Sequence, residues 1–182
     1  LSGIVAAEEK RGLVIEAGSG YSFGSPWFRY MNDYVAANGR NPLHFIDIFY
    51  YGSNLKFRQH AISLTETIKG KSEANQILGD VRSYVCIQPF TSEVKKDWGI
   101  DKIVDAIRVF STLHPEMSIV LLGAPFEAEK IQDIIRRCQD CKINIISAIC
   151  SFEAAFSILS RAQLLLTGDT SIMHLACSTD CK

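Results

Sequence analysis

The spacing of apolar residues changes near the middle of the chain. After residue 82, short apolar runs alternate with segments whose apolar positions recur every three or four residues. Such runs are typical of buried strands, and the longer spacing is typical of helices. The pattern predicts four strands (84–88, 117–122, 143–147 and 163–167) and four helices (101–113, 127–138, 151–160 and 171–177). Strands that are apolar throughout and alternate with helices indicate an α/β protein with a parallel sheet covered on both faces.

The part before this change is less regular. It predicts a short strand at 12–17 and two helices, at 26–37 and 44–51. Ser25 and a proline at the first turn mark the start of the first helix. The segment 70–82 is polar and poor in large apolar residues, so we expect it to divide the chain.

Composition and charge narrow the class of protein. Hydrophobic residues make up 47% of the chain and charged residues 21%, which is typical of soluble globular proteins. The formal net charge of −1 disfavours a nucleic-acid partner. No apolar run approaches the roughly 18 residues needed to span a bilayer. We therefore expect a cytoplasmic protein and leave open a peripheral contact with a membrane.

The cysteines and the standard motifs give no metal or cofactor site. The six cysteines are unevenly spaced in a chain that is not small, which argues against a secreted disulfide framework. A zinc site would require the CxxC pair Cys138/Cys141 and the CxxxC pair Cys177/Cys181 to meet in space. HExxH, GxSxG, GxxxxGK[ST] and GxGxxG are absent. We expect reduced thiols, no metal and no cofactor.

The predicted sheet indicates where a ligand would bind. In the common doubly wound order the strands lie 3-2-1-4, and ligands bind outside the carboxyl ends of the strands where the chain reverses. This order would bring together the loops after the first, second and fourth strands. The loop after the third strand, AICS, would lie at the sheet edge.

The loop after the fourth strand carries the most candidate chemistry. Asp169 is placed to cap the following helix, a role that can coexist with ligand binding. Thr170 and Ser171 offer hydroxyls and backbone amides at a helix N-terminus, where a phosphate is favoured. His174 follows Thr170 by four residues and would face the same crevice. The alternative is a capped helix with a surface histidine.

The other two loops add charged and hydroxyl groups. Thr91, Ser92 and Lys96 follow the first strand and could neutralise a diphosphate, unless the lysine is merely solvated. Glu127 follows the second strand and could accept two hydroxyls of a ribose. Alternatively, it is only a favourable charge at a helix N-terminus.

Three of these segments together resemble glycosyltransferase family 9, the ADP-heptose:lipopolysaccharide heptosyltransferases. The resemblance rests on TSEVKKDWGIDKI, LLGAPFEAEKI and LLLTGDTSIMHLA, in this order and spacing. The earlier stretch GSPWFRYMNDYVAANGRNPLHFIDIFY is similar to the end of the family's N-terminal domain. The resemblance implies a GT-B fold, in which two Rossmann-like domains face each other across a cleft. Residues 1–75 would end the acceptor-side domain with its linker, and 76–182 would belong to the donor-nucleotide domain.

The resemblance also implies an activity and a role for each candidate residue. The family transfers heptose from an ADP-sugar to the inner core of lipopolysaccharide, without metal and with inversion, so the partners would be a nucleotide sugar and a lipid-linked saccharide at the inner membrane. By position, Lys96 would stabilise the departing diphosphate. Thr91 and Ser92 would contact the diphosphate, and Glu127 would contact the ribose. The donor-site loop would consist of Asp169, Thr170, Ser171 and His174.

Two departures from the family pattern bear on these expectations. Ser171 stands where the family usually has glycine. The family's catalytic aspartate would precede Leu1, so we expect a fragment that is inactive alone. Two alternatives stay open: a non-catalytic GT-B-like binding module, and another nucleotide-sugar enzyme such as an epimerase.

Overall fold

A computed structural model describes residues 13–16, 20–23, 25–35, 43, 45–53, 64–91 and 93–182. The chain divides into two compact units, Leu1–His60 and Ala61–Lys182. The polar segment 70–82 therefore belongs to the second unit. No helix in the described ranges is long and apolar enough to cross a membrane.

The first unit contains a hairpin and two helical segments. Strands β1 (Leu13–Glu16) and β2 (Gly20–Phe23) pair antiparallel. Helix α1 (Pro26–Tyr30) continues into a π-helical turn, Met31–Val35, and α2 spans Phe45–Ser53. The predicted strand and both predicted helices are present, whereas β2 was not predicted.

Local chemistry explains the start of α1 and its packing. The Ser25 hydroxyl accepts the N–H of Phe28 at 3.4 Å, as the sequence predicts for a helix cap. Phe28 is buried together with Met31 and Ile48, which joins α1 to α2. The indole Nε1 of Trp27 donates to the carbonyl of Ile48 at 2.9 Å, so the aromatic stripe of α1 serves packing.

The second unit alternates strands and helices around one parallel sheet. Its elements are α3 (Ile68–Leu78), β3 (Tyr84–Gln88), α4 (Ile100–Leu113), β4 (Ser118–Gly123), α5 (Ala128–Arg137), β5 (Asn144–Ile149), α6 (Phe152–Leu159), β6 (Leu165–Thr167) and α7 (Ser171–Ala176). The strands lie in the order β5-β4-β3-β6, and all three pairings are parallel. The predicted order 3-2-1-4 is therefore confirmed.

Successive side chains of a strand point to opposite faces of the sheet, and each face of this sheet has its own buried layer. Tyr84 and Cys86 of β3 pack in the layer that contains α3, α6 and α7. Val85 and Ile87 of the same strand pack in the layer that contains α4 and α5. The unit thus has helices on both faces, which leaves the carboxyl ends of the strands open for a site.

Helix α3 is the main element of the second unit that the apolar pattern did not predict. Its buried positions are Gly70, Ala74 and Leu78, of which two are very small, so the hydrophobic signal is weak. A side chain at Gly70 would place Cβ 2.6 Å from the carbonyl oxygen of Glu153, which shows how closely α3 approaches the start of α6. Close packing, rather than large apolar side chains, holds this helix.

Candidate functional site

The carboxyl ends of the parallel strands open onto one cleft of about 280 Å³. Thr91 after β3, Glu127 after β4, and Thr170 and Ser171 after β6 all line it. Sheet topology predicts this convergence, because the reversal of chain direction falls between β3 and β6. The volume lies near the lower end of small-molecule sites.

The loop after β5 also lines the cleft, contrary to expectation. Cys150, Ser151 and Phe152 all contribute to the wall. Strand β5 does lie at the sheet edge, but its loop is not confined to that edge. Strand order fixes where a loop begins and not the direction it takes, so these residues could not be predicted to line the cleft.

The loops after β3 and β6 meet at a short ionic contact. The Lys96 ammonium lies 2.8 Å from Asp169 Oδ2 and 3.1 Å from Glu93 Oε1. Hydrogen bonding to Asp169 raises the pKa of Lys96, and the same bond lowers the pKa of Asp169. Gly168 lets the two loops approach closely, since an added Cβ would lie 3.0 Å from Thr91 Cγ2 and 3.4 Å from the carbonyl oxygen of Lys96. The Lys96 ammonium is therefore held between two carboxylates at the junction of the two loops.

Asp169 does not cap α7, so that part of the prediction is wrong. The residue at the cap position is Thr170, and its side chain makes no capping hydrogen bond. The Thr170 hydroxyl instead lies 3.2 Å from the Thr167 hydroxyl. The Asp169 carboxylate accepts a hydrogen bond from the ammonium of Lys96, which lies 73 positions earlier. A long-range ion pair has replaced the local cap.

Glu127 is buried in the cleft wall and has a clear structural role. Only 8% of its surface is exposed. Its Oε2 accepts the backbone N–H of Ala124 at 2.7 Å, which closes the short 3₁₀ turn Pro125–Glu127 before α5. The carboxylate thus both fixes the turn after β4 and forms part of the cleft wall.

The remaining predicted site residues are placed less centrally. Thr91 lines the cleft, and its hydroxyl donates to the carbonyl of Glu93 at 2.7 Å. Ser92 lies outside the described residues. His174 is exposed and, like Lys96 and Asp169, is absent from the cleft lining. It adds to the lowering of the Asp169 pKa, after the larger effect of Lys96.

The two cysteine pairs do not form a common metal site. Cys138 and Cys141 pack in the layer of α4 and α5, whereas Cys181 packs on the opposite face of the sheet. Among the described residues, no group of three or more His, Cys, Asp or Glu side chains is arranged to hold a metal ion. The four-thiolate hypothesis therefore fails on geometry.

The family comparison decides the assignment. The model of glycosyltransferase family 9 (heptosyltransferase) matches residues 45–182. The chain belongs to glycosyltransferase family 9. This confirms the resemblance seen in the sequence, and the match covers the whole cleft. No curated protein sequence matches the chain.

Solved structures show that the fold is shared with a family 9 glycosyl transferase and with two heptosyltransferases. A family 9 glycosyl transferase from Veillonella parvula has a TM-score of 0.65 at 15% identity, over 78% of this chain and 43% of its own. The E. coli heptosyltransferase WaaC with ADP-2-deoxy-2-fluoro heptose has a TM-score of 0.53 at 18% identity, over 78% of this chain and 44% of its own. The E. coli ADP-heptose lps heptosyltransferase II has a TM-score of 0.53 at 15% identity, over 67% of this chain and 39% of its own. The chain thus spans less than half the length of these structures, and the GT-B-type α/β fold is confirmed.

Ser171 fits this family 9 site without backbone strain. It is the first residue of α7, and residues of an α-helix have negative φ. The backbone therefore does not require glycine at this position. The serine adds a hydroxyl to the cleft lining.

Proposed function

We propose that the second unit binds the nucleotide of an ADP-sugar and that the whole enzyme transfers heptose from it to the inner core of lipopolysaccharide. The observation that carries this proposal is the convergence of the loops after β3, β4 and β6 on one cleft, with Lys96 held at the β3–β6 junction. Family membership supports a glycosyltransferase. The E. coli relative WaaC was solved with ADP, which supports the choice of nucleotide.

The diphosphate of the donor is proposed to bind at the β3–β6 junction. Lys96 would exchange its contacts with Glu93 and Asp169 for contacts with phosphate oxygens, which also accept charge-assisted hydrogen bonds. Hydroxyls of Thr91, Ser92, Thr170 and Ser171 and the first amides of α7 would complete the contacts, with His174 one turn further along.

The same group of residues would supply the leaving-group chemistry. As the bond to the sugar breaks, negative charge grows on the diphosphate, and the Lys96 ammonium would stabilise it. A lysine and backbone amides can perform this role without a metal ion. We therefore propose a metal-independent transfer, with inversion at the sugar carbon.

The nucleoside is proposed to lie over β4 and β5. Glu127 is fixed by the amide of Ala124 and would accept hydroxyls of the ribose with its remaining lone pairs. The acceptor would bind in the other domain, which would also hold the base that activates it, and the first unit, Leu1–His60, would form the end of that domain. The enzyme would work in the cytoplasm, at the inner membrane where its lipid-linked acceptor lies.

Calorimetric titration of the protein with ADP tests the proposal. We expect binding that is unchanged by EDTA. Lys96→Ala should raise the Kd by about 10- to 100-fold, because a charge-assisted hydrogen bond to phosphate is lost.

Lys95→Ala is the matched control. Lys95 is the preceding residue of the same 3₁₀ turn, so this variant makes the same change of charge at a neighbouring position. It should bind ADP within about threefold of the wild type, since one exposed charge has a small effect. Absence of ADP binding, loss of binding in EDTA, or equal losses in both lysine variants would contradict the proposal.

A further inference from the structure

A carboxylate outside the cleft binds one of the cleft's wall residues with both of its oxygens. Glu73 lies on α3, and its Oε1 accepts the backbone N–H of Ser151 at 2.9 Å. Its Oε2 accepts the hydroxyl of Ser151 at 2.6 Å. These two bonds lower the pKa of Glu73, with the hydroxyl bond the stronger cause. The contact joins residues 78 positions apart in sequence.

Ser151 connects this contact to the cleft. It lines the cleft between Cys150 and Phe152, which line it too. Its hydroxyl oxygen also accepts the N–H of Ala154 at 3.2 Å and so caps α6. Glu73 thus fixes the backbone N–H and the hydroxyl of Ser151 in one orientation. The part of the cleft wall formed by the loop after β5 is fixed with them.

Helix α3 is a firm support for this contact. Gly70 approaches the backbone of Glu153 so closely that no side chain fits between them. Further along, Asn75 Oδ1 accepts from the Arg161 guanidinium at 2.8 Å. The helix is therefore held on both sides of Glu73, and a side chain on it can position a neighbouring loop.

We infer that Glu73 is a positioning residue for the nucleoside end of the donor cleft, acting through Ser151. This inference rests on the proposed function, because it takes ADP as the ligand. The loop that Glu73 holds follows β5, whereas Lys96 and Asp169 lie at the β3–β6 junction on the other side of β4. Loss of Glu73 should therefore affect the nucleoside end of the ligand and spare the diphosphate end.

Binding of ADP and of inorganic pyrophosphate to the intact protein separates these two ends. For Glu73→Ala we expect the Kd of ADP to rise about tenfold, since two hydrogen bonds that orient the wall are lost. The Kd of pyrophosphate should stay within about twofold, a difference that is small on the scale of one hydrogen bond. Glu73→Gln should recover part of the ADP affinity, because its amide can accept from the N–H of Ser151.

Asn75→Ala is the control for general loosening of α3. It removes another side-chain hydrogen bond of this helix, to Arg161, and leaves the contact with Ser151 intact. We expect ADP affinity in this variant to match the wild type, and thermal unfolding shows which variants are folded. If Glu73→Ala does not fold, the same comparison is made with Glu73→Gln.

Four results would overturn the inference: unchanged ADP affinity in the folded Glu73 variant, equal losses for ADP and pyrophosphate, an equal loss in Asn75→Ala, or a wild type that binds no ADP. The first three results would overturn only the inference about Glu73. The last result would overturn the proposed function as well, so the two failures can be told apart.

Discussion

At the residue scale, the ion pair Lys96–Asp169 joins the loops after β3 and β6 beside the cleft. Each partner shifts the other: the pKa of Asp169 is lowered and that of Lys96 is raised, chiefly by the hydrogen bond between them. The contribution of Asp169 to the stability of the folded protein is lost as pH falls through its lowered pKa. The contribution of Lys96 to the same stability is lost as pH rises through its raised pKa. The pair is therefore intact across neutral pH, where a donor would meet it.

This coupling gives a prediction for a single titration. In Lys96→Ala the pKa of Asp169 should rise toward its ordinary value, because the hydrogen bond that favours the ionised form is gone. Carboxyl-detected NMR of the labelled protein measures this pKa directly. Lys95→Ala serves as the control and should leave the Asp169 pKa unchanged. An unshifted Asp169 in Lys96→Ala would show that the ion pair does not form in solution.

At the element scale, the packing of α3 on α6 depends on the absence of a side chain at one position. Gly70→Ala would place Cβ 2.6 Å from the carbonyl oxygen of Glu153. Helix propensity favours alanine over glycine by about 1 kcal/mol, but overpacking against a backbone costs about 1–3 kcal/mol. We expect a net loss of about 1 kcal/mol in the free energy of unfolding, measured by urea denaturation.

Ser72→Ala is the control for this element. Ser72 is exposed on the same helix, so its substitution should change the free energy of unfolding by less than about 0.5 kcal/mol. A Gly70→Ala protein as stable as Ser72→Ala would mean that α3 can move away from α6 at no cost. The close approach would then not fix α3.

The same two helices show what the apolar pattern can and cannot predict. The strands of the second unit were predictable because each is a short apolar run, and α6 because Ser151 caps an apolar stripe. Helix α3 was not, because Gly70 and Ala74 give almost no hydrophobic signal although both are buried. In the first unit β2 was missed as well. Strand order followed from the general rule for doubly wound sheets.

The candidate site also has a part that the sequence predicts and a part that it does not. Loops that follow strands at the reversal point were predictable from topology, which brought Thr91, Glu127 and Thr170 together. Contacts between side chains distant in sequence were not. The partner of Asp169 is a lysine 73 positions earlier, and the partner of Ser151 is a glutamate 78 positions earlier. No local pattern encodes either contact.

At the scale of the whole molecule, a sheet covered on both faces should protect its central thiol. Cys86 of β3 has no exposed surface, and burial raises its pKa, whereas Cys177 is exposed. Because the thiolate is the reactive form, iodoacetamide should modify Cys177 first and Cys86 only after unfolding. Peptide mass spectrometry at a series of times measures both. Modification of Cys86 at the rate of Cys177 in the folded protein would contradict the buried central strand.

The arrangement of the whole cleft determines where ADP should lie. In the proposed function the diphosphate lies at the junction of the β3 and β6 loops and the ribose beside Glu127, so the ligand should cross the ends of β3 and β4 toward β5. A crystal structure of the protein with ADP is the most direct test. The account predicts phosphate oxygens within hydrogen-bond distance of the Lys96 ammonium and a ribose hydroxyl at the Glu127 carboxylate. A diphosphate bound at the β5 loop, or ADP bound outside the cleft, would contradict it.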